Sequence, residues 1–361
     1  MSKFPLLLIL VLGTAQPVAG PSPPALQAER VLLLGRCPVD SVSEIIAGGF
    51  VSRGEQLLFA EPLGIINCQT AGTRTKVPVY RLVLLNRTER GFERLWQSQL
   101  LLGREAVAAS LVPDIWTFGD IDSDSLLEVI MIKGNSISLF HFCPEAFSSL
   151  ELPFTAAVTI DAVCADIEMD GFMELVTLEQ KPDSTGKRVV IRVWQIIGNE
   201  LKQRGKTIEL PDLGQEIKFS FLGSAKLEDY PGAPVLVLGE YLSLRPSRYY
   251  ALYLAGDSFV LTGIPFPWQE WFSKDEVLPA GRLQLFNVGD TLVAYGYFVP
   301  GVRAGISAGS FAALQDGEWR VLQLKEWAKK LVGPFYQFGS NWLTLHNQHF
   351  YLLAEEPFYW R

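Results

Sequence analysis

Trp116-Thr-Phe-Gly-Asp-Ile-Asp-Ser-Asp-Ser-Leu-Leu-Glu-Val-Ile-Met-Ile-Lys133 sets carboxylates at 120, 122, 124 and 128 and then runs straight into an apolar strand. A second copy follows at Val163-Cys-Ala-Asp-Ile-Glu-Met-Asp-Gly-Phe-Met-Glu-Leu-Val-Thr-Leu178, with acids at 166, 168, 170 and 174. Asp120 and Asp166 stand 46 residues apart. A period of that length marks stacked supersecondary units rather than one irregular fold.

Around these two loops the chain is a succession of short apolar runs bounded by Gly, Asn and Asp, the pattern of antiparallel hairpins. Upstream, Ser43–Ala47, Gln56–Ala60, Val79–Leu85 and Arg94–Gln97 form one set of four. The regions 110–155 and 158–211 form two more, each opening on its acidic loop. Later sets keep the rhythm and lose the acids: Phe219 to Leu261, Arg282 to Leu322, and Phe335 to Leu353. Four strands in such a span make one propeller blade. The last set is short, and Arg30-Val-Leu-Leu-Leu34 is expected to complete it, which removes an exposed edge. The fold expected is therefore all-β: one β-propeller over 30–361 with about six four-stranded blades, five or seven being the alternatives. Gln323–Val332 has helical spacing and predicts one short connecting helix. Ile264-Pro-Phe-Pro-Trp-Gln-Glu-Trp-Phe272 gathers aromatics on a loop, either as a docking surface or as a lid on the core.

The first twenty residues have another purpose. Lys3, the apolar run Phe4–Leu12 and the small residues Gly13, Ala15, Ala19 and Gly20 form the pattern of a secretory signal peptide over 1–20. A Pro-rich tether, 21–29, follows. The expected location is secreted or periplasmic, with no membrane span once the signal is removed. A net charge of −8 argues against nucleic acid and anionic membrane surfaces as partners. Four cysteines in an exported chain permit disulfides, the local choices being Cys37 with Cys68 and Cys143 with Cys164. They fit equally as small apolar residues buried in strands.

Acids at alternate positions point oxygens into one hollow as a loop curls, and several hard oxygens at that density suit Ca²⁺ better than Mg²⁺. The same acids also serve as turn caps through Asx-type hydrogen bonds. Phe118-Gly-Asp-Ile-Asp-Ser-Asp-Ser-Leu-Leu-Glu-Val-Ile130 and Ala165-Asp-Ile-Glu-Met-Asp-Gly-Phe-Met-Glu-Leu-Val176 resemble the FG-GAP repeat, also seen in bacterial VCBS-type repeat proteins. That resemblance implies a propeller with Ca²⁺ in loops at blade edges. The ligands it implies are Asp120, Asp122, Asp124 and Glu128 in one blade, and Asp166, Glu168, Asp170 and Glu174 in the next. Two departures stand out: Ser125 replaces the turn glycine of the first loop, and Glu168 is longer than the aspartate expected in the second.

Catalytic signatures fail on context. Gly305-Ile-Ser-Ala-Gly309 matches a nucleophile elbow, but that motif needs a strand-to-helix turn and here a strand follows. His141 interrupts an apolar strand as a wall residue would, and His346 and His349 flank a hairpin turn with too few ligands for zinc. The function expected is an exported, non-enzymatic scaffold binding a protein or glycan at the cell envelope. The alternatives are a secreted polysaccharide hydrolase or lyase, or a carbohydrate-binding propeller.

Overall fold

The computed structural model describes residues 31–360 apart from connecting stretches, the longest being 37–43, 104–113, 211–216, 227–233, 265–280 and 299–309. The expected signal peptide and tether, most of the aromatic loop and the Gly305–Gly309 segment lie outside the described residues, as do Cys37 and Cys143. The described strands form six antiparallel sheets of four or five strands. Blade one holds Glu44–Gly48, Gln56–Thr70, Thr73–Thr88 and Gly91–Gln97, with Leu101–Leu102 added on its third strand. Blade two holds Asp114–Gly119, Glu128–Lys133, Ser136–Phe142 and Phe147–Pro153. Blade three holds Val158–Ala165, Glu174–Asp183, Gly186–Ile197 and Glu200–Glu209. Blades four and five span 217–264 and 281–324.

The first strands of successive blades pack side by side: Asp114–Gly119 on Val158–Ala165, that on Ile217–Lys226, and that on Gly281–Val288. Glu44–Gly48 meets Phe335–Phe338 of the last blade, joining the two ends of the series. This is a β-propeller. The sixth blade is closed by the N-terminal strand Val31–Arg36, where Val31 pairs with Leu353 and Arg36 with His349. The expected completion of the short last set is thus observed.

Strand alternation explains the stacking. In Glu128–Lys133, Ile130 and Ile132 join a core shared with blade three, while Val129 joins one shared with blade one. In Glu174–Asp183, Leu175 faces blade two, and Val176 and Leu178 face blade four. Blades two and three are therefore apolar on both faces, and a neighbour on each side buries them. Burying one such side chain contributes about 1.5–3 kcal/mol, so a single blade has no stability of its own. Polar ties cross the same seams. Asp114 Oδ2 accepts Leu102 N–H at 2.7 Å, and Asp161 Oδ2 accepts Phe221 N–H at 2.8 Å. Gly119 sits where an added Cβ would come within 2.6 Å of Cys164 Cβ, so the glycine permits close approach of blades two and three.

Two expectations are corrected. The helix over 323–332 is absent: Glu318–Leu324 is a strand that runs into its start, and a single 3₁₀ turn, Ala328–Lys330, follows. Leu324 instead pairs with Phe358 of a C-terminal strand, Phe358–Tyr359, which adds to the outer edge of blade five. Trp327, Ala328 and Leu331 lie buried in the core between blades five and six, so their spacing serves that core. The Cys143–Cys164 pairing also fails, since Cys164 is a free thiol. Burial pushes its ionisation up, and it shares a hydrogen bond with the Thr117 side chain.

Candidate metal centre

The two acidic loops occupy equivalent places. Each joins the first strand of its blade to the second, and the blades are neighbours. The strand pair that closes the first loop is Gly119 with Glu128, and the pair that closes the second is Ala165 with Glu174.

The local hydrogen bonds repeat as well. Ile121 N–H donates to Glu128 Oε2 at 2.8 Å, and Ile167 N–H donates to Glu174 Oε2 at 2.9 Å. Asp120 Oδ2 accepts Ser125 N–H at 3.0 Å, and Asp166 Oδ2 accepts Gly171 N–H at 3.1 Å. Asp124 Oδ1 caps Leu126 N–H at 2.7 Å, as Asp170 Oδ1 caps Phe172 N–H at 3.0 Å. Gly171 has φ +88°, the left-handed conformation a sharp turn demands. Ser125 adopts φ +73° in the same place, and Ser123 adopts φ +62°. A left-handed residue with a Cβ costs about 1–2 kcal/mol, so the first loop holds its shape without the glycine at a local expense.

Turn capping accounts for part of the acid content only. Asp120 Oδ1 and Glu174 Oε1 are buried and accept no hydrogen bond. Glu128 and Glu174 are 1% and 0% exposed. Burial, reinforced by the neighbouring aspartates and by Glu168, pushes their carboxyls up to about 8 and about 7 respectively. One oxygen from each of Asp120, Asp122 and Asp124 falls within 4.8 Å of the others, as do oxygens of Glu168, Asp170 and Glu174. Oxygens bound to one Ca²⁺ at about 2.3–2.6 Å lie no more than about 5 Å apart, so both sets fit that ion. Asp166 belongs to the second loop by its backbone bonds.

Three residues at this site carry no signal in the linear spacing. Ser123 Oγ donates to Gly171 O at 3.0 Å and ties one loop to the other. Arg204, on the fourth strand of blade three, donates to Glu168 through Nε at 3.3 Å and a terminal nitrogen at 2.7 Å. His141, on the third strand of blade two, brings Nδ1 to 3.4 Å from Glu128 Oε1 and 3.8 Å from Asp122 Oδ2. It faces the loop, not a wall. The cross-strand pair Val129–Phe140 sets this, since one further step along the ladder brings position 141 beside 128. His346 and His349 pair across their hairpin as expected.

No family model matches the chain. No curated protein matches it either. Among solved structures, a mutant of the Aleuria aurantia lectin in complex with Fucα1-6GlcNAc is similar at 12% identity and TM-score 0.45, covering 90% of this chain and 96% of that one. An S. cerevisiae assembly of Dbp5 with Nup159, Gle1, IP6 and ADP is similar at 12% identity and TM-score 0.28, over 90% and 95% of the two chains. BBS1N in complex with ARL6DN is similar at 9% identity and TM-score 0.35, over 90% and 98%. None of the three bears on what this chain binds.

Proposed function

We propose that this protein is an exported, non-enzymatic propeller scaffold of the FG-GAP and VCBS type, binding a protein or glycan partner at the cell envelope. Its two blade loops hold Ca²⁺ in this reading, and the residues from about 30 onward form the mature domain. The observation that carries it is the surface around the loops. They sit at one end of adjacent blades, are bonded together through Ser123 and Gly171, and carry Phe172, 47% exposed, together with the exposed Asp122, Asp124 and Asp170. In this reading the exposed ring supplies apolar area, and an ion held by the loop carboxylates supplies open coordination positions for the partner. The N-terminal apolar pattern supports export.

Affinity capture with the mature domain from its native envelope, with calcium and then with chelator, tests the reading. A partner retained in calcium, released by chelator and lost with Phe172→Ala is the expected result. Equal capture by the wild type and by Phe172→Ala would place recognition elsewhere. The raised carboxyls of Glu128 and Glu174 favour a second reading, a polysaccharide hydrolase, since a general acid must hold its proton near neutrality. Yet both are buried and each already accepts a backbone N–H. Release of reducing sugar that Glu174→Gln abolishes would turn the assignment to that enzyme.

A further inference from the structure

The first loop differs from the second by a histidine that stands against its acids. We propose that Asp122 Oδ2, Glu128 Oε1 and His141 Nδ1 form a three-ligand site for a borderline divalent metal of the zinc class, on the same loop as the oxygen group of Asp120, Asp122 and Asp124. The inference rests on the reading of this loop as a metal hollow, and goes beyond it by adding a nitrogen ligand from another strand.

The spacing accommodates an ion between the three side chains as well as a direct pair. An N–H···O hydrogen bond spans about 2.7–3.2 Å, whereas His141 Nδ1 stands 3.4 Å and 3.8 Å from the two carboxylate oxygens. Two ligands on one tetrahedral zinc, with bonds of about 2.0–2.2 Å, lie roughly 3.3–3.6 Å apart. The closer distance falls inside that range, and the longer one needs only a small turn of Asp122, whose side chain is 48% exposed. Glu128 supplies the fixed corner. It is 1% exposed, its Oε2 is committed to Ile121 N–H, and its Oε1 is left facing the imidazole. Asp120 Oδ1, on the same loop, is buried without a hydrogen bond. His141 is 25% exposed, which leaves a fourth coordination position toward solvent.

Chemistry separates this group from a calcium loop. Calcium takes oxygen ligands, and imidazole suits zinc, copper, iron and nickel. The second loop is the control that the chain itself provides. One ladder step beyond Leu175–Trp194 puts Gln195 where the first loop has His141, and Arg204 already engages Glu168. An amide and a guanidinium bring no nitrogen ligand there. Only the first loop, among the described residues, brings histidine and acids together.

The test uses the full mature chain, free of any histidine tag and stripped with chelator. Cobalt(II) alone is titrated as the spectroscopic probe, and Zn²⁺ is then added. The wild type is expected to bind one Co²⁺ with the intense visible absorption of a four-coordinate ion, which Zn²⁺ bleaches. His141→Gln should weaken Co²⁺ binding by about tenfold or more while melting normally without metal and keeping its calcium-induced rise in melting temperature. The double variant His346→Asn, His349→Asn should bind as the wild type does. No Co²⁺ binding by the wild type, or equal binding by His141→Gln, would overturn the proposal. A calcium response alongside either result leaves the calcium reading intact, and its absence overturns that reading separately.

Discussion

Glu128 and Glu174 close their turns by accepting a backbone N–H, and they do so from sites where ionisation is costly. In the unfolded chain both ionise near the ordinary 4.5, and in the folded chain only near about 8 and about 7. Between those limits the native state binds more protons than the unfolded state, so stability falls as pH rises. Denaturant unfolding in chelator should give midpoints that decline from about pH 5 to about pH 8 and then level off. Glu174→Gln, which keeps an acceptor for Ile167 N–H, should remove its share of the slope. Saturating calcium should remove more, since a bound cation stabilises the ionised form. A flat profile in chelator would mean that these carboxyls are better solvated than their burial implies.

The acidic loop is the element on which metal binding turns, and its two copies are not equivalent. Each keeps one buried oxygen without a hydrogen bond, Asp120 Oδ1 in the first and Glu174 Oε1 in the second, but among the described residues only the second spends an acid, Glu168, on an arginine, Arg204. Calcium binding to the folded form alone stabilises it by about 2.7 kcal/mol at a hundred times the dissociation constant, visible as a higher melting temperature. Replacing Asp120 and Asp124 together by Asn should remove most of that rise, and replacing Asp166 and Asp170 should remove less. An unchanged melting temperature with calcium would leave the acids as turn caps. Sequence made these loops legible because the backbone N–H groups that their acids accept lie only two to seven residues away. His141 and Arg204 were not legible, because a ladder step and a neighbouring strand bring them in. The strand sets read correctly for the same reason as the loops, since hairpins are local. Gln323–Val332 does not follow its helical spacing because the winning contact, Leu324 with Phe358, comes from a strand 34 residues further on.

At the scale of the molecule, stability belongs to the ring. Cores are shared between neighbouring blades, and Val31–Arg36 supplies the outer strand of a blade otherwise built from 335–353. Deleting residues 31–36 should therefore do more than fray one edge. It should lower the melting temperature of the whole domain in one cooperative step and raise protease sensitivity across blades one and six together. Separate melting of a single blade, with the others unchanged, would show that the blades fold independently.

The strand that closes the ring also sets a clock on biosynthesis. Arg36 leaves the ribosome first and pairs with His349, so 313 residues must be made before its partner exists. At about 5–20 residues per second the wait is roughly 15–60 s, during which Val31-Leu-Leu-Leu34 is an apolar edge with nothing to pair with. Nascent chains on crowded polysomes would meet each other through that edge. Slowing translation should lengthen that wait and lower the soluble yield, whereas a yield indifferent to translation rate would show that the unpaired strand is harmless.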